Sequence, residues 1–413
     1  MPGRFRAPVA VVTTGPPIGS LTLLLTARCN LGCSYCYQND RRGGRMPWRT
    51  AREALALALS SRLADLELVF SGGEPLLEAA TIRRAVAWVG RVRAPERRVR
   101  FSLFTNGLLL DDGMADFLAR HDFTVQLSFD GSPAAQDVRG AGTWQRLDAL
   151  LDRLRRRQAR LFRDRLRIAV TVTPATVPLL ADSVAYLLGK GVLSIVAAPA
   201  ISGCAGWRDA EGLAELEAQF ARAAGHCLRH HRATGESPFF GFGYDGAPRG
   251  DHDRSRAMCD AVTGRALTVD TDGSVYACGA AAGGVQRTDS RFLAARLAAL
   301  RVGRLEDVDL ALRLEAEPER LGRLDVLRGK ENKRSSWGRC RDCPHFAVCL
   351  VCPLAIAHLD GNEDPDRVPD FICAYNRTAL AALARLGAAP DPAVTLLHPA
   401  PLYRAIRRAR ARL

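Results

Sequence analysis

Twelve cysteines are the residues of this 413-residue chain best suited to chemistry, and ten of them fall into spaced groups. Cys29, Cys33 and Cys36 form a CxxxCxxC run. Three thiolates so close together can each take one corner of an iron–sulfur cubane, since thiolate is the natural ligand of such clusters. Four irons on three cysteines leave one iron open to an exogenous chelator, whereas a structural zinc wants a fourth protein ligand. Seven more cysteines stand at Cys259, Cys278, Cys340, Cys343, Cys349, Cys352 and Cys373. The two CxxC pairs between Cys340 and Cys352 suit an all-thiolate zinc knuckle taken alone. That reading leaves Cys259, Cys278 and Cys373 without a role.

Two cysteines remain. Cys204, in Ser202-Gly203-Cys204, is the candidate catalytic thiol: it would complete an incomplete cluster, donate a hydrogen atom, or be an inert loop thiol, the commonest state of a free cysteine. Cys227 sits in a helical pattern and reads as core. His226, His230, His231 and His252 read as surface or cap residues. No G-x-S-x-G, Walker loop or H-E-x-x-H occurs, so hydrolase and kinase chemistry have no foothold.

The first cysteine run must be positioned by what precedes it, the β-branched and Leu-rich run Ser20–Thr26. Similar strand patterns follow at Glu67–Ser71, Val99–Thr105, Thr124–Phe129, Leu166–Thr173 and Leu193–Pro199. Helical patterns separate them, at 48–61, 77–93, 111–121, 143–160 and 176–189, with another at 210–231. Near-continuous apolar strands with helical crossovers predict a parallel sheet covered by helices. Six βα units predict an α/β fold of the open, partial (β/α)6 TIM-like barrel type over residues 20–232, with its chemistry on the loops after the strands. Residues 1–19 are an N-terminal segment, and 233–258, Gly/Pro-rich around Pro238–Tyr244, read as a linker. A small Cys-rich domain follows at 259–380. It opens on a β-hairpin, Ala266–Asp270 and Ser274–Ala277, around the favoured Asp272-Gly273 turn. A charged, helix-like stretch covers 291–330, and residues 381–413 form a basic tail ending in a helical pattern at Leu402–Leu413.

Composition sets the remaining bounds. The chain is 47% hydrophobic and 25% charged, ordinary for a folded enzyme, and it has no run long enough to span a membrane. Met1–Ala10 lacks the apolar core of a signal peptide, so the expected location is cytoplasmic, where clustered cysteines mean metal or redox chemistry rather than disulfides. The net charge of +14 invites a nucleic-acid reading. However, only Lys190, Lys330 and Lys333 among the 58 basic residues are lysine. Arg and Ala enrichment of this kind follows from a GC-rich coding sequence, and the charges sit on solvated helix faces. A nucleic-acid substrate is not expected.

The run Cys29–Cys36 after the first strand, with Ser71-Gly72-Gly73-Glu74-Pro75 after the second, resembles the radical S-adenosylmethionine (SAM) superfamily. The resemblance implies a SAM-binding [4Fe–4S] cluster on Cys29, Cys33 and Cys36, whose open iron is chelated by SAM. One electron then cleaves the sulfonium to a 5′-deoxyadenosyl radical that abstracts substrate hydrogen. It also implies that Tyr35 packs on the adenine. The loop of Gly72, Gly73 and Glu74 would approach the SAM ammonium; paired glycines permit a close backbone approach and an acceptor there suits an ammonium. Ser128 and Asp130, at the end of the fourth strand, and Arg139 downstream are the further SAM-contact candidates. Gln136 stands where a His is common in the family, with a one-residue shift before Arg139.

The C-terminal cysteines resemble the SPASM domain, an extension of radical SAM enzymes that holds auxiliary clusters. One departure is two residues rather than three between Cys349 and Cys352. The resemblance implies two auxiliary [4Fe–4S] clusters, one on Cys340, Cys343, Cys349 and Cys373. The other uses Cys259, Cys278 and Cys352, with its fourth ligand missing. Such enzymes mostly act on peptides or proteins, so the expected function is oxidative maturation of a peptide, such as a crosslink in a ribosomal precursor. The implied partners are that substrate, an electron donor such as flavodoxin or ferredoxin, and a separate leader-binding protein, since Cys29 comes too early for an N-terminal leader-binding domain. Sulfatase maturation is an alternative. Those enzymes place an Asp directly after the second auxiliary Cys, where this chain has Gly279. A small-molecule or carbohydrate substrate and a non-enzymatic zinc module complete the set.

Overall fold

The computed structural model describes residues 14–36, 38, 44–201, 210–236, 238–242, 265–282, 291–316, 329–347, 349, 351–352, 356 and 364–388. Six strands form where the apolar runs stand: β1 (Ser20–Leu24), β2 (Asp65–Ser71), β3 (Arg98–Thr105), β4 (Thr124–Ser128), β5 (Leu166–Val172) and β6 (Ser194–Pro199). All pair in parallel in chain order. The period of two decides their faces. In β5, Leu166, Ile168, Val170 and Val172 are buried while Arg167, Ala169 and Thr171 are only partly covered. The same alternation leaves Glu67, Gln126 and Ser128 on a polar, partly open face of the sheet.

Helices cover the apolar face: α1 (Trp48–Leu59), α2 (Ala79–Val92), α3 (Asp112–Arg120), α4 (Pro133–Asp137), α5 (Trp144–Arg157) and α6 (Leu180–Gly189). Their stripes follow helical spacing, as in α5, which buries Leu147, Leu150, Leu151 and Leu154 in one core with the strands. The α3 start is fixed by Asp111, whose side chain accepts from the Met114 amide at 2.7 Å. The mixed α/β architecture with a parallel central sheet is the expected one.

The long helix α7 (Ala210–Thr234) is followed by β7 (Phe239–Phe242), which pairs in parallel with β6. The linker expected over 233–258 therefore needs correction: α7 runs into it, and its Phe-Phe-Gly-Phe run is a strand. Three aromatic residues favour a pleated edge more strongly than one Gly and the neighbouring Pro oppose it.

The Cys-rich segment joins the same sheet. Its hairpin, β8 (Ala266–Val269) and β9 (Ser274–Tyr276), pairs in parallel with β1 through β8. After α8 (Arg291–Ala299), β10 (Arg301–Arg304) pairs antiparallel with β9 and closes a ten-stranded order β10-β9-β8-β1-β2-β3-β4-β5-β6-β7. The short α9 (Leu310–Ala316) follows. The last described helix, α10 (Asp370–Ala388), packs on α7, β6 and β7. Its Tyr375 ring meets Phe220 of α7 edge-on at 5.2 Å. Among the described residues no helix is long and apolar enough to cross a membrane. The segment 402–413 lies outside the described residues.

Candidate functional site

Parallel strands bring their C-terminal loops to one end, so residues 25–36, 72–75, 105–107, 128–131 and 199–201 share it. The cysteine loop leaves β1 clamped from both sides. The amide of Met46 donates to the Leu25 carbonyl at 2.7 Å, and the Gly73 amide donates to the Thr26 carbonyl at 2.7 Å. The Glu74 amide donates to the Arg28 carbonyl at 2.9 Å.

This contact explains the two glycines. A Cβ on Gly73 would stand 2.2 Å from the Arg28 oxygen, and one on Gly72, whose φ is +133°, would stand 2.4 Å from the Thr26 oxygen. The close approach they permit is therefore between this loop and the backbone of the cysteine loop.

Glu74 is engaged by the neighbouring loops. Its carboxylate is fully buried and accepts from the Thr105 hydroxyl (2.7 Å), the Asn106 amide (2.8 Å) and the Leu76 amide (2.9 Å). Burial raises its pKa and the three donors oppose the rise. It ties the loops after β2 and β3 together. Asn106, directly after β3 and without a distinguishing signal in the sequence, takes this tie to the cysteines. Its Nδ2 donates to Asn30 Oδ1 at 2.7 Å and lies 3.8 Å from Cys29 Sγ, while the Leu31 amide donates to the same sulfur at 3.4 Å. Donors aimed at a sulfur suit a thiolate ligand.

Beside Cys33 stands a buried charge pair. Arg139 Nε donates to Asp130 Oδ2 at 2.7 Å, and Nη2 donates to Oδ1 at 2.9 Å. Nη2 also reaches Thr171 Oγ1 at 3.0 Å. Asp130 further accepts from the Thr171 amide at 2.8 Å and from the Tyr35 hydroxyl at 3.2 Å. Each Asp130 oxygen thus already serves two donors of this chain. The expected contacts Tyr35, Asp130 and Arg139 form one network, with the guanidinium 5.5 Å from the centre of the Tyr35 ring. Burial alone would lower the Arg139 pKa, and Asp130, Tyr35 and Cys33 together more than restore it. Burial likewise raises the Cys33 thiol, against which Arg139 acts as the main opposing charge. Gln136 is a support inside the fold: its Oε1 accepts from the Asp130 amide at 3.0 Å and its Nε2 donates to Thr143 at 2.9 Å. Sequence alone gave Thr171 no signal beyond its alternating position on β5. Ser128 ends β4 on the partly open face.

The C-terminal thiols gather from turns and one helix. Cys340, Cys343 and Cys349 come from the turns before α10, and Cys373 from its first turn. Burial pushes Cys340 up to about 11 and Cys349 up to about 12; for both, neighbouring thiols of this set add to the rise and Lys330 opposes it. Four thiols in electrostatic reach of one another, each free of a disulfide, fit the corners of a shared cluster. Asn376 Nδ2 and Arg377 Nη1 reach Cys349 Sγ and Cys343 Sγ, each at 3.7 Å. Among the described residues no three His, Cys, Asp or Glu side chains converge as a single ion requires.

Cys278 follows β9, and the amides of Ala280 and Ala281 favour its thiolate against the rise caused by burial. A second apolar cluster of Ile201, Val351, Ile356, Val368 and Ile372 carries Ala280, Cys340, Cys349, Cys352 and Cys373 against it. It therefore joins the end of β6 to these C-terminal cysteines. Cys204 and Cys259 lie outside the described residues.

Residues 23–163 match the family model of the Radical SAM superfamily. The chain is 29% identical over 176 residues to an uncharacterized protein of Methanocaldococcus jannaschii, spanning 42% of this chain and 60% of that one. It is 30% identical over 150 residues to the serine-type anaerobic sulfatase-maturating enzyme of Klebsiella aerogenes, 34% of this chain and 35% of that one. These matches cover less than two thirds of either relative. By fold, the chain resembles anSMEcpe with bound AdoMet and a peptide, at TM-score 0.66 and 17% identity over 89% of this chain and 97% of that one. It also resembles Streptococcus suis SuiB bound to precursor peptide SuiA, at TM-score 0.54 and 15% identity over 86% and 76%.

Proposed function

We propose that this chain, which carries a radical SAM domain, is an oxidative peptide maturase that uses a SAM-binding cluster on Cys29, Cys33 and Cys36 and two auxiliary clusters on its C-terminal cysteines. The single observation that carries the reading is the shared end of the sheet, where the cysteine loop, the Gly72–Glu74 loop and the Asp130–Arg139 pair are bonded into one frame. With cluster and SAM bound, the chemistry supplied is one-electron cleavage of the sulfonium to a 5′-deoxyadenosyl radical. The chain's own residues do the positioning. Glu74 and Asn106 hold the cysteine loop in register with the next two strand ends. Arg139 and Asp130 hold Tyr35 beside the cysteines, where its ring would pack on the adenine. Since Glu74 is committed to the loops, backbone carbonyls near Gly72 and Gly73 would receive the SAM ammonium.

The open, polar face of the sheet leaves room for an extended substrate. Peptides bound in anSMEcpe and SuiB structures support the same substrate class here; flavodoxin or ferredoxin is the proposed electron donor. Sulfatase maturation stands as the second reading, favoured by the named Klebsiella relative. Against it, Gly279 offers no base beside Cys278, and any Cβ there would press on Thr268 Oγ1 at 3.3 Å.

Reconstituted enzyme with SAM and dithionite, given precursor peptides encoded beside its gene, tests the proposal. The expected product is a peptide that has lost hydrogen in forming a new bond. Formylglycine in a sulfatase peptide, with no change in the precursor, would establish the second reading instead. A small molecule as the sole stimulant of 5′-deoxyadenosine release would overturn both.

A further inference from the structure

Lysine is scarce in this chain, three of 58 basic residues, and two of the three stand buried beside the auxiliary cysteines. Lys333 is 5% exposed and its Nζ pairs with Asp366 Oδ1 at 2.6 Å. Lys330 is 2% exposed. Its Nζ donates to the Phe346 carbonyl and lies 4.9 Å from the centre of that ring. Phe346 belongs to the turn between two of the thiols: its amide donates to the Cys343 carbonyl at 2.9 Å, and the Cys349 amide donates to the His345 carbonyl at 2.8 Å. Arg377 approaches the same set from α10, with Nη1 3.7 Å from Cys343 Sγ.

A cubane held by four thiolates is a net-negative centre and becomes more negative on reduction. A fixed cation in low dielectric stabilises the reduced form more than the oxidised one. We propose that Lys330, seconded by Arg377, is a positioning residue that raises the reduction potential of the cluster on Cys340, Cys343, Cys349 and Cys373. The inference rests on the reading that these four cysteines hold a cluster. It adds an assignment for the buried cations around them.

The test is an EPR-monitored redox titration of the reconstituted full-length enzyme, with the SAM-binding cluster, recognised by its response to added SAM, as internal reference. Lys330→Met should lower the reduction equilibrium constant of the auxiliary cluster about tenfold or more, about 59 mV downward for one electron. Lys330→Arg should restore most of the shift, and Arg377→Gln should move the potential the same way. Unchanged potentials in Lys330→Met and Arg377→Gln, with iron retained, overturn the inference. Should Lys330→Met fail to hold the cluster, Arg377→Gln decides alone, and an unmoved potential there overturns it. Zinc or no metal on these cysteines in the wild type would instead remove the underlying reading.

Discussion

Asp130 and Arg139 form a bidentate ion pair sealed from water, the carboxylate 1% and the guanidinium residue 7% exposed. The same carboxylate holds the Tyr35 hydroxyl and the Thr171 amide, so one residue ties the cysteine loop to β4, β5 and α4.

Asp130→Ala leaves a guanidinium buried without its counter-charge. Breaking a buried pair by removing one partner costs about 3–5 kcal/mol. Denaturant unfolding of the reconstituted protein should show that loss, and SAM affinity should fall with it as Tyr35 is released. Unfolding unchanged within about 1 kcal/mol would mean the pair is replaceable by water.

Gly73→Ala places a methyl against the Arg28 oxygen, and no flexible side chain is there to give way. The cysteine loop must shift, with strain of about 1–3 kcal/mol. Iron retained at Cys29, Cys33 and Cys36 should drop, read from iron content and SAM-dependent EPR. Gly90→Ala on α2 is the control: its Cβ meets nothing within 4 Å, so stability should hold or rise by roughly 0.5–1 kcal/mol.

Glu74 makes stability depend on pH. Burial raises its folded-state pKa above the ordinary carboxylate value of 4.5. The folded chain therefore binds a proton more readily than the unfolded chain, and this contribution to stability is lost as pH rises through the raised value. Wild type should gain stability as pH falls toward 4.5 from above that value. Glu74→Gln should lack that gain and lose stability overall, because its amide would face the donating Asn106 N–H. Identical pH profiles for the two proteins would contradict the buried-carboxylate account.

Cys373→Ala removes one of four mutually close thiols from the first turn of α10. The expected result is loss of about four irons per chain, one cubane's worth. Cleavage of SAM to 5′-deoxyadenosine should survive while product formation fails. Full iron content in this variant would show that Cys373 is not a ligand.

The six parallel strands and their helices were legible because each strand is a short apolar run ended by turn chemistry, as Phe70 to Gly73 shows. The missed strands are those whose character comes from partners. Arg301–Arg304 is polar and pairs only because β9 offers an open edge, and Phe239–Phe242 hides among Gly and Pro. The cysteines stood out as candidate ligands, since their type and spacing carry the chemistry. The supports around them did not. Thr171 and Gln136 are ordinary polar residues whose roles depend on which strand or turn faces Asp130, a tertiary fact without a local signature.

Anaerobic reconstitution followed by assay of metal content and 5′-deoxyadenosine tests the central claim most directly. Three cubanes predict about 12 irons per chain, with 5′-deoxyadenosine formed from SAM and dithionite and abolished by Cys33→Ala. Zinc in place of iron, with no 5′-deoxyadenosine from the wild type, would contradict the account.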